Sequence, residues 1–291
     1  MTPRLYRGRI TAGESRAPAP AQAMSAALEL EFAQLSDRGL VREQNEDYLD
    51  CSLPDTAARG RSHGWLFVLA DGVGGNLDGE VASHLAVGTL LAGFQQAAAG
   101  EPHAGLLPRL VQAANEKVHD AGLAAGSGGR SMATTIVACA LRFDRAAIAH
   151  VGDSRCYLIR HGQARLLTRD HTIANEQFRV GILASPEAAE AARHMLSRAV
   201  GTELFVSPEV SEHRVLPGDV LLLCSDGLHG AVSAAELASA VGGRDELQRA
   251  AERLVELANH RDGSDNVSLQ LIRIRQVERI GMYRGRPYKL P

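Results

Sequence analysis

Order along this chain begins with an alternation: Leu28, Leu30 and Phe32 are separated by Glu29 and Glu31, the two-residue period of a half-buried strand. A short strand is expected over 48–51. The pattern then changes to unbroken apolar runs, and each run ends on an acid. Residues 66–70 lead into Asp71-Gly72-Val73-Gly74-Gly75, residues 147–152 into Asp153, and residues 220–225 into Asp226-Gly227. Near the C-terminus the order is reversed, with Asp265-Asn266 just before a strand over 267–274. Runs of this length bounded by turn residues are expected to be buried strands.

Between the strands the period lengthens. Val81, Leu85, Leu90, Leu91 and Phe94 mark an apolar face on a helix over 79–96, and a second helix is expected over 107–123, before Gly126-Ser127-Gly128-Gly129. Strands return over 133–143, 145–151, 156–160 and 164–167, with tight turns at Asp144 and at His161-Gly162, and read as one antiparallel meander. Residues 170–200 are less regular, although Ser185-Pro186-Glu187 has the chemistry of a helix start. Ser233 and Glu236 fit a capping box for a helix to about residue 240. Leu247, Ala251, Leu254 and Leu257 lie on one face of a helix over 244–259. Paired helices and clustered strands, without βαβ alternation, point to an α+β protein whose antiparallel sheets pack together under helices.

With 291 residues there is enough chain for a sizeable core. Residues 1–26 lack periodicity and are expected to form a flexible leader or a basic docking arm, followed by a single domain over 27–275. The tail, 276–291, carries Arg279, Arg284, Arg286 and Lys289 and reads as a solvated end or a weak docking segment. A net charge of −3 gives no electrostatic case for nucleic acid or an anionic membrane as partner. The four cysteines, Cys51, Cys139, Cys156 and Cys224, show no CxxC or Cys/His spacing and are expected to be reduced thiols. No apolar run approaches the length of a membrane span, and Arg4, Arg7 and Arg9 precede no apolar signal segment, so a cytoplasmic protein is expected.

The acids carry the chemistry. Asp is depleted in strands and costly to bury unless paired or bound to a cation. A single Asp-Gly after a strand is a common turn. Here Asp71, Asp153, Asp226 and Asp265 all flank strands, and a polar loop over 36–47 adds Arg42, Glu46 and Asp47. Clustered carboxylates repel unless cations neutralise them, and oxygen-only donors select hard ions such as Mg²⁺ or Mn²⁺. Gly72 would let its carbonyl approach a metal, and Arg42 has the donors of a bidentate phosphate ligand.

Arg42-Glu43-Gln44-Asn45-Glu46-Asp47, Ala70-Asp71-Gly72-Val73-Gly74-Gly75 with Gly79-Glu80, Gly152-Asp153-Ser154-Arg155, Ser225-Asp226-Gly227 and Asp265-Asn266 resemble, in order, the motifs of the metal-dependent serine/threonine protein phosphatases of type 2C, bacterial form. The resemblance spans roughly residues 28–275. It implies a four-layer α-β-β-α sandwich, two antiparallel sheets flanked by helix pairs, with two Mg²⁺ or Mn²⁺ ions at one end. It further implies that Asp71 bridges the ions, that Asp226 and Asp265 complete the first, and that Glu46 and the Gly72 carbonyl serve the second. Asp47 would act largely through bound water, Arg42 would hold the phosphate, and Asn266 would orient its neighbours. Asp153 is either a ligand of a third, weaker ion or a brace. The implied reaction is direct attack of a metal-bridging water or hydroxide on phosphoserine or phosphothreonine. The implied partners are phosphoproteins made by a bacterial serine/threonine kinase, met by a monomer.

Two positions depart from the family. Val73 stands where some relatives carry a histidine that protonates the leaving alkoxide, and the flap region over 173–195 is short and Ala-rich. Asp170-His171-Thr172 also echoes a family motif and is read as a structural turn. The competing functions are a non-catalytic phosphoprotein-binding member of the same fold and a small-molecule phosphohydrolase.

Overall fold

The computed structural model describes residues 28–73, 77–125, 132–185, 192, 194–242, 246–278, 280–283 and 286–289. The leader over 1–26, Gly74-Gly75 and most of the helix start at 185–187 lie outside these residues. In chain order the elements begin β1 (Leu28–Asp37), β2 (Asp47–Ser52), α1 (Ala57–Ser62), β3 (Trp65–Val73), α2 (Leu77–Gln95) and α3 (His103–Ala124). Next come β4 (Ala133–Thr134), β5 (Ile136–Arg142), β6 (Arg145–Val151), β7 (Arg155–Arg160), β8 (Gln163–Leu166) and α4 (Ile173–Arg179). The chain continues with β9 (Glu209–Arg214), β10 (Val220–Cys224), α5 (Asp226–His229), α6 (Ala234–Val241), α7 (Leu247–Arg261) and β11 (Val267–Val277). A hairpin of β12 (Ile280–Tyr283) and β13 (Arg286–Lys289) occupies the expected tail.

Two antiparallel sheets hold the strands. One runs β1-β11-β10-β7-β8 and the other β2-β3-β5-β6-β9, with β4 paired to β3. The unbroken apolar runs are explained by cover on both faces. In β3, Leu66, Val68 and Ala70 pack against α2 and α3, while Phe67 and Leu69 face the second sheet. In β10, Val220, Leu222 and Cys224 meet α6 and α7, while Leu221 and Leu223 face inward. The layers are therefore helix, sheet, sheet, helix. Phe32 and Phe67 close the inter-sheet core edge to face, with centroids 5.3 Å apart.

The meander is a point of correction. The chain makes the β5–β6 hairpin in one sheet, crosses at Gly152-Asp153-Ser154, and makes the β7–β8 hairpin in the other. Gly152 takes φ +101° and packs its α-carbon against Thr135, where a Cβ would lie 2.6 Å from the threonine methyl. Only glycine fits that turn, and it lifts the chain out of register with β6. β6 and β7, adjacent in sequence, thus share no ladder, a choice that local periodicity does not encode.

On α2, Val81 is 46% exposed, and the buried stripe is Ala82, Ala86, Leu90 and Phe94. Small side chains, invisible when only large apolar residues are counted, let this helix approach β3 closely. Among the elements that lack a signal in the pattern are α1, α4 and the edge strand β9, whose Glu, His and Arg residues suit a strand with one neighbour. Among the cysteines, all free, Cys139, Cys156 and Cys224 are buried in the core layers.

Leu221 is fully buried between the sheets. Leu221→Ala should destabilise the fold by about 2–5 kcal/mol, through lost transfer energy and a residual cavity. Urea unfolding with an unchanged slope checks it.

Candidate active site

At one end of the sandwich the inter-sheet space changes from apolar to polar. Ser36 and Ser268 share a hydroxyl hydrogen bond of 2.7 Å, and Gln270 donates to Gln34 Oε1 at 3.1 Å. Beyond these residues lies a cleft of about 1100 Å³, lined by Arg42, Glu46, Asp71, Gly72, Asp153, Asp226, Asp265 and Asn266 among others. The nine predicted site residues come together here except Asp47, which lies beneath the floor beside Asp71 and is 4% exposed. They come from both sheets.

Register explains part of this. Asp47 in β2 is the cross-strand partner of Asp71 in β3. Asp226 follows β10, Asp265 precedes β11, and these two strands pair in the other sheet. The backbone around Asp71 is held from both sides. Its N–H donates to Thr135 Oγ1 at 3.0 Å, and its carbonyl accepts from Thr134 Oγ1 and from the Thr135 N–H, each at 2.8 Å. Gly72 donates its N–H to the Glu46 carbonyl at 3.1 Å. A Cβ on Gly72 would lie 2.3 Å from the Gly79 carbonyl oxygen, so the start of α2 and the Glu46 loop can close on β3 only because no side chain intervenes.

Asn266 organises the loop. Its Oδ1 accepts from the Glu46 N–H at 2.8 Å, and its Nδ2 donates to the carbonyls of Arg38 and Gln44, each at 2.9 Å. Asp265 Oδ2 accepts from Arg42 Nη2 at 2.8 Å, which leaves the other guanidinium donors of this exposed residue at the cleft.

Electrostatics set the chemistry. Desolvation raises the Asp71 carboxyl well above the usual range, and Asp47, Asp226, Asp153 and Asp265 push it further. Burial raises Asp47 to about 7, against the pull of the Ser268 and Ser225 hydroxyls. Asp153 is also raised to about 7, by burial and then by Asp226 and Asp170. Burial likewise raises Asp226 and Glu46. Asp47 Oδ2 accepts from Ser225 Oγ at 2.8 Å, but its buried Oδ1 has no hydrogen-bond partner. Crowded carboxylates, an unpartnered buried oxygen and donors that are all oxygen fit hard divalent cations and suit neither zinc nor copper.

A second cluster, His150, His171 and Glu209, has donor atoms all within 4.8 Å. Its chemistry is different. His171 Nδ1 accepts from the Gly152 N–H at 3.2 Å, so Nε2 carries the proton, and Arg169 already pairs with Glu209 at 2.8 Å. The rings stack at 4.7 Å, and burial pushes His171 down to about 4. With Asp170 bidentate to Arg155 at 2.9 and 2.7 Å and Thr172 capping α4, Asp170-His171-Thr172 makes a buried brace behind the sheet crossing. Sequence reasoning missed Thr135, Arg198 and His194, which line the cleft and fall in no acid-ended strand motif. Ser225 stands in such a motif, but its hydroxyl bond to Asp47 is set only by the fold.

Comparison with known proteins gives a family. The model described as Protein phosphatase 2C matches residues 42–268. The chain is 32% identical over 248 residues to protein phosphatase PhpP of Streptococcus pneumoniae, covering 84% of this chain and 97% of that protein. It is similar to the solved Streptococcus agalactiae serine/threonine phosphatase, with a TM-score of 0.77, 31% identity and coverage of 85% and 100%. It is also similar to the catalytic domain of the serine/threonine protein phosphatase PstP in complex with two manganese ions, with a TM-score of 0.70, 33% identity and coverage of 85% and 99%.

Asn266→Ala should leave the Glu46 N–H and two carbonyls without partners, costing about 1–3 kcal/mol of stability. Because the loop carrying Glu46 then loosens, Mn²⁺ affinity should fall by roughly 10–100-fold. Denaturant unfolding and a calorimetric Mn²⁺ titration read the two effects separately.

Proposed function

The chain belongs to the protein phosphatase 2C family, and on that premise we propose how its residues divide the work of a metal-dependent serine/threonine protein phosphatase. The observation that carries the assignment is the meeting of Glu46, Asp71, Asp153, Asp226 and Asp265 from both sheets in one cleft beside the exposed guanidinium of Arg42.

Asp71, half-buried at the end of β3, would serve as a ligand to both divalent ions. Asp226 and Asp265 would hold the first ion, and Glu46 with the Gly72 carbonyl would hold the second. When bound, Mg²⁺ or Mn²⁺ offsets the clustered negative charge and makes water a stronger acid and hence a better nucleophile near neutral pH. Asp47 steadies the floor of the site through the Ser225 hydroxyl and would reach the ions through water. Asp153, at the sheet crossing, would hold a third, weaker ion or brace the others. Asn266 fixes the Glu46 loop, and Arg42 takes the phosphoryl oxygens with the donors that Asp265 leaves free.

Water attacks phosphorus directly. The chain offers no thiolate for a covalent intermediate, because burial pushes the Cys51, Cys139 and Cys224 thiols up to about 12 and raises Cys156 as well. The retained carboxylates speak against a binding-only member of the fold. Residues 27–275 act as one phosphatase domain. The substrates are proteins phosphorylated by a bacterial serine/threonine kinase, met in the cytoplasm by a monomer. Among the described residues, no helix is long and apolar enough to cross a membrane.

Asp71→Asn should lower kcat on a phosphothreonine peptide by several kcal/mol in barrier, roughly 10³-fold or more. Excess EDTA should abolish wild-type turnover, and full activity in EDTA would contradict the metal assignment. Arg42→Ala should act mainly on KM, raising it about 10–100-fold through loss of a charge-assisted hydrogen bond. Steady-state kinetics on the purified protein separate the three.

A further inference from the structure

Cleavage of a serine or threonine phosphate expels an alkoxide, a strong base that leaves poorly unless it receives a proton. Val73 reaches the cleft, 37% exposed, but has no proton to give. Of the other described residues lining the cleft, Arg42 and Arg198 are guanidinium groups, suited to binding phosphoryl oxygens and not to giving up a proton. The Thr135 hydroxyl is engaged by the Asp71 N–H and by Ser154 Oγ, and the carboxyl groups on the floor are the cation donors. Among the described side chains of the cleft one is an imidazole, a group built to carry a proton and hand it on: His194.

His194 is exposed and lines both the carboxylate cleft and an adjoining cleft of about 690 Å³ that shares Asp153, Asp226 and Asp265 with it. Its charge is close enough to Asp226 to act against the rise of that carboxyl. The chain immediately after it is fastened down. Ile173 donates its N–H to the Met195 carbonyl at 2.8 Å, Thr172 and Leu196 form an antiparallel bridge, and Ser197 donates its N–H to the His171 carbonyl at 2.9 Å. The brace formed by Asp170, His171 and Thr172 thus sets where His194 stands. The other histidine at these clefts, His229, is held by its Nε2 on the Asp153 carbonyl at 3.0 Å, and burial pushes it down to about 4, so it is neutral and occupied.

We propose that His194 is the proton donor to the departing serine or threonine oxygen, a catalytic role supplied by the segment before β9 rather than by the turn after β3. The proposal rests on the carboxylate cluster being the hydrolytic site. As the oxygen of water bonds to phosphorus, the phosphorus–ester oxygen bond breaks and its electron pair stays on the leaving oxygen. That oxygen takes the proton of the His194 imidazolium. The proton released by the attacking water passes to solvent, from which the imidazole is recharged, so each turnover consumes one water and yields the free hydroxyl side chain and phosphate.

The test compares leaving groups. A phosphothreonine peptide needs the proton, whereas p-nitrophenyl phosphate expels an anion stable without it. In His194→Gln the ratio of kcat on the peptide to kcat on the aryl phosphate should fall about 10²-fold, the lower end of general-acid effects. The melting temperature and the calorimetric Mn²⁺ affinity should match the wild type. An equal fall on both substrates, no fall on the peptide, or a loss of Mn²⁺ affinity would each overturn the role. Asp71→Asn is measured alongside: if it keeps both activities, the carboxylate site itself is wrong, and that failure is distinguishable from the failure of His194 alone.

Discussion

Asp47 and Asp71 face each other across neighbouring strands, while Asp226 and Asp265 reach the same place from the second sheet. At an effective dielectric of 20, two like charges 4 Å apart repel by roughly 4 kcal/mol. A group of such pairs is tolerable only where cations share it or where some members stay protonated. The raised carboxyls of Asp47, Asp71, Asp153 and Asp226 express that repulsion together with desolvation. Much of the surrounding structure is a means of holding this arrangement in place.

The scaffold does so by changing character along its length. Between the sheets, side chains are apolar at one end, with Phe67, Leu221 and Ile272, and polar at the other, with Gln34, Ser36, Ser268 and Gln270. Strand parity is unbroken through that change. The inward positions of β11 run Ser268, Gln270, Ile272 and Ile274, so one rigid ladder carries both the core and the support for the site. Asp71 and Asp226 at the strand ends are thereby placed by sheet packing, and the loop carrying Glu46 is tied to the start of β11 through Asn266.

One crossing completes the site. At Gly152 the chain leaves one sheet for the other and sets Asp153 between them. Behind that crossing, His150 and His171 stack, and the backbone of His171 and Thr172 fastens the segment that carries His194. Stability of the crossing and position of a functional side chain are therefore coupled through one buried brace.

Much of this was legible in the chain itself. Unbroken apolar runs ending on Asp71, Asp153 and Asp226 identified strands covered on both faces and the acids at their ends, because burying an acid without a partner is costly. The spacing of Leu247, Ala251 and Leu254, and the Ser233–Glu236 cap, identified helices by local chemistry. Local pattern says nothing of which strands pair. The β5–β6 and β7–β8 hairpins looked like one meander because pairing is decided by contacts far apart in sequence, and here by a glycine turn that only the packed sheets require. On α2, Leu90 and Phe94 lie in the buried stripe as expected, but its first half runs through Ala82 and Ala86 instead of Val81 and Leu85, because alanines carry little weight in a pattern and much in close packing. His194 has no motif at all: its meaning comes from lining a cleft whose walls are distant in sequence. The acids and their chemistry were determined by sequence alone, since charge and hydrophobicity are properties of residues; their meeting at one place was decided only by tertiary structure, since distance is a property of the fold.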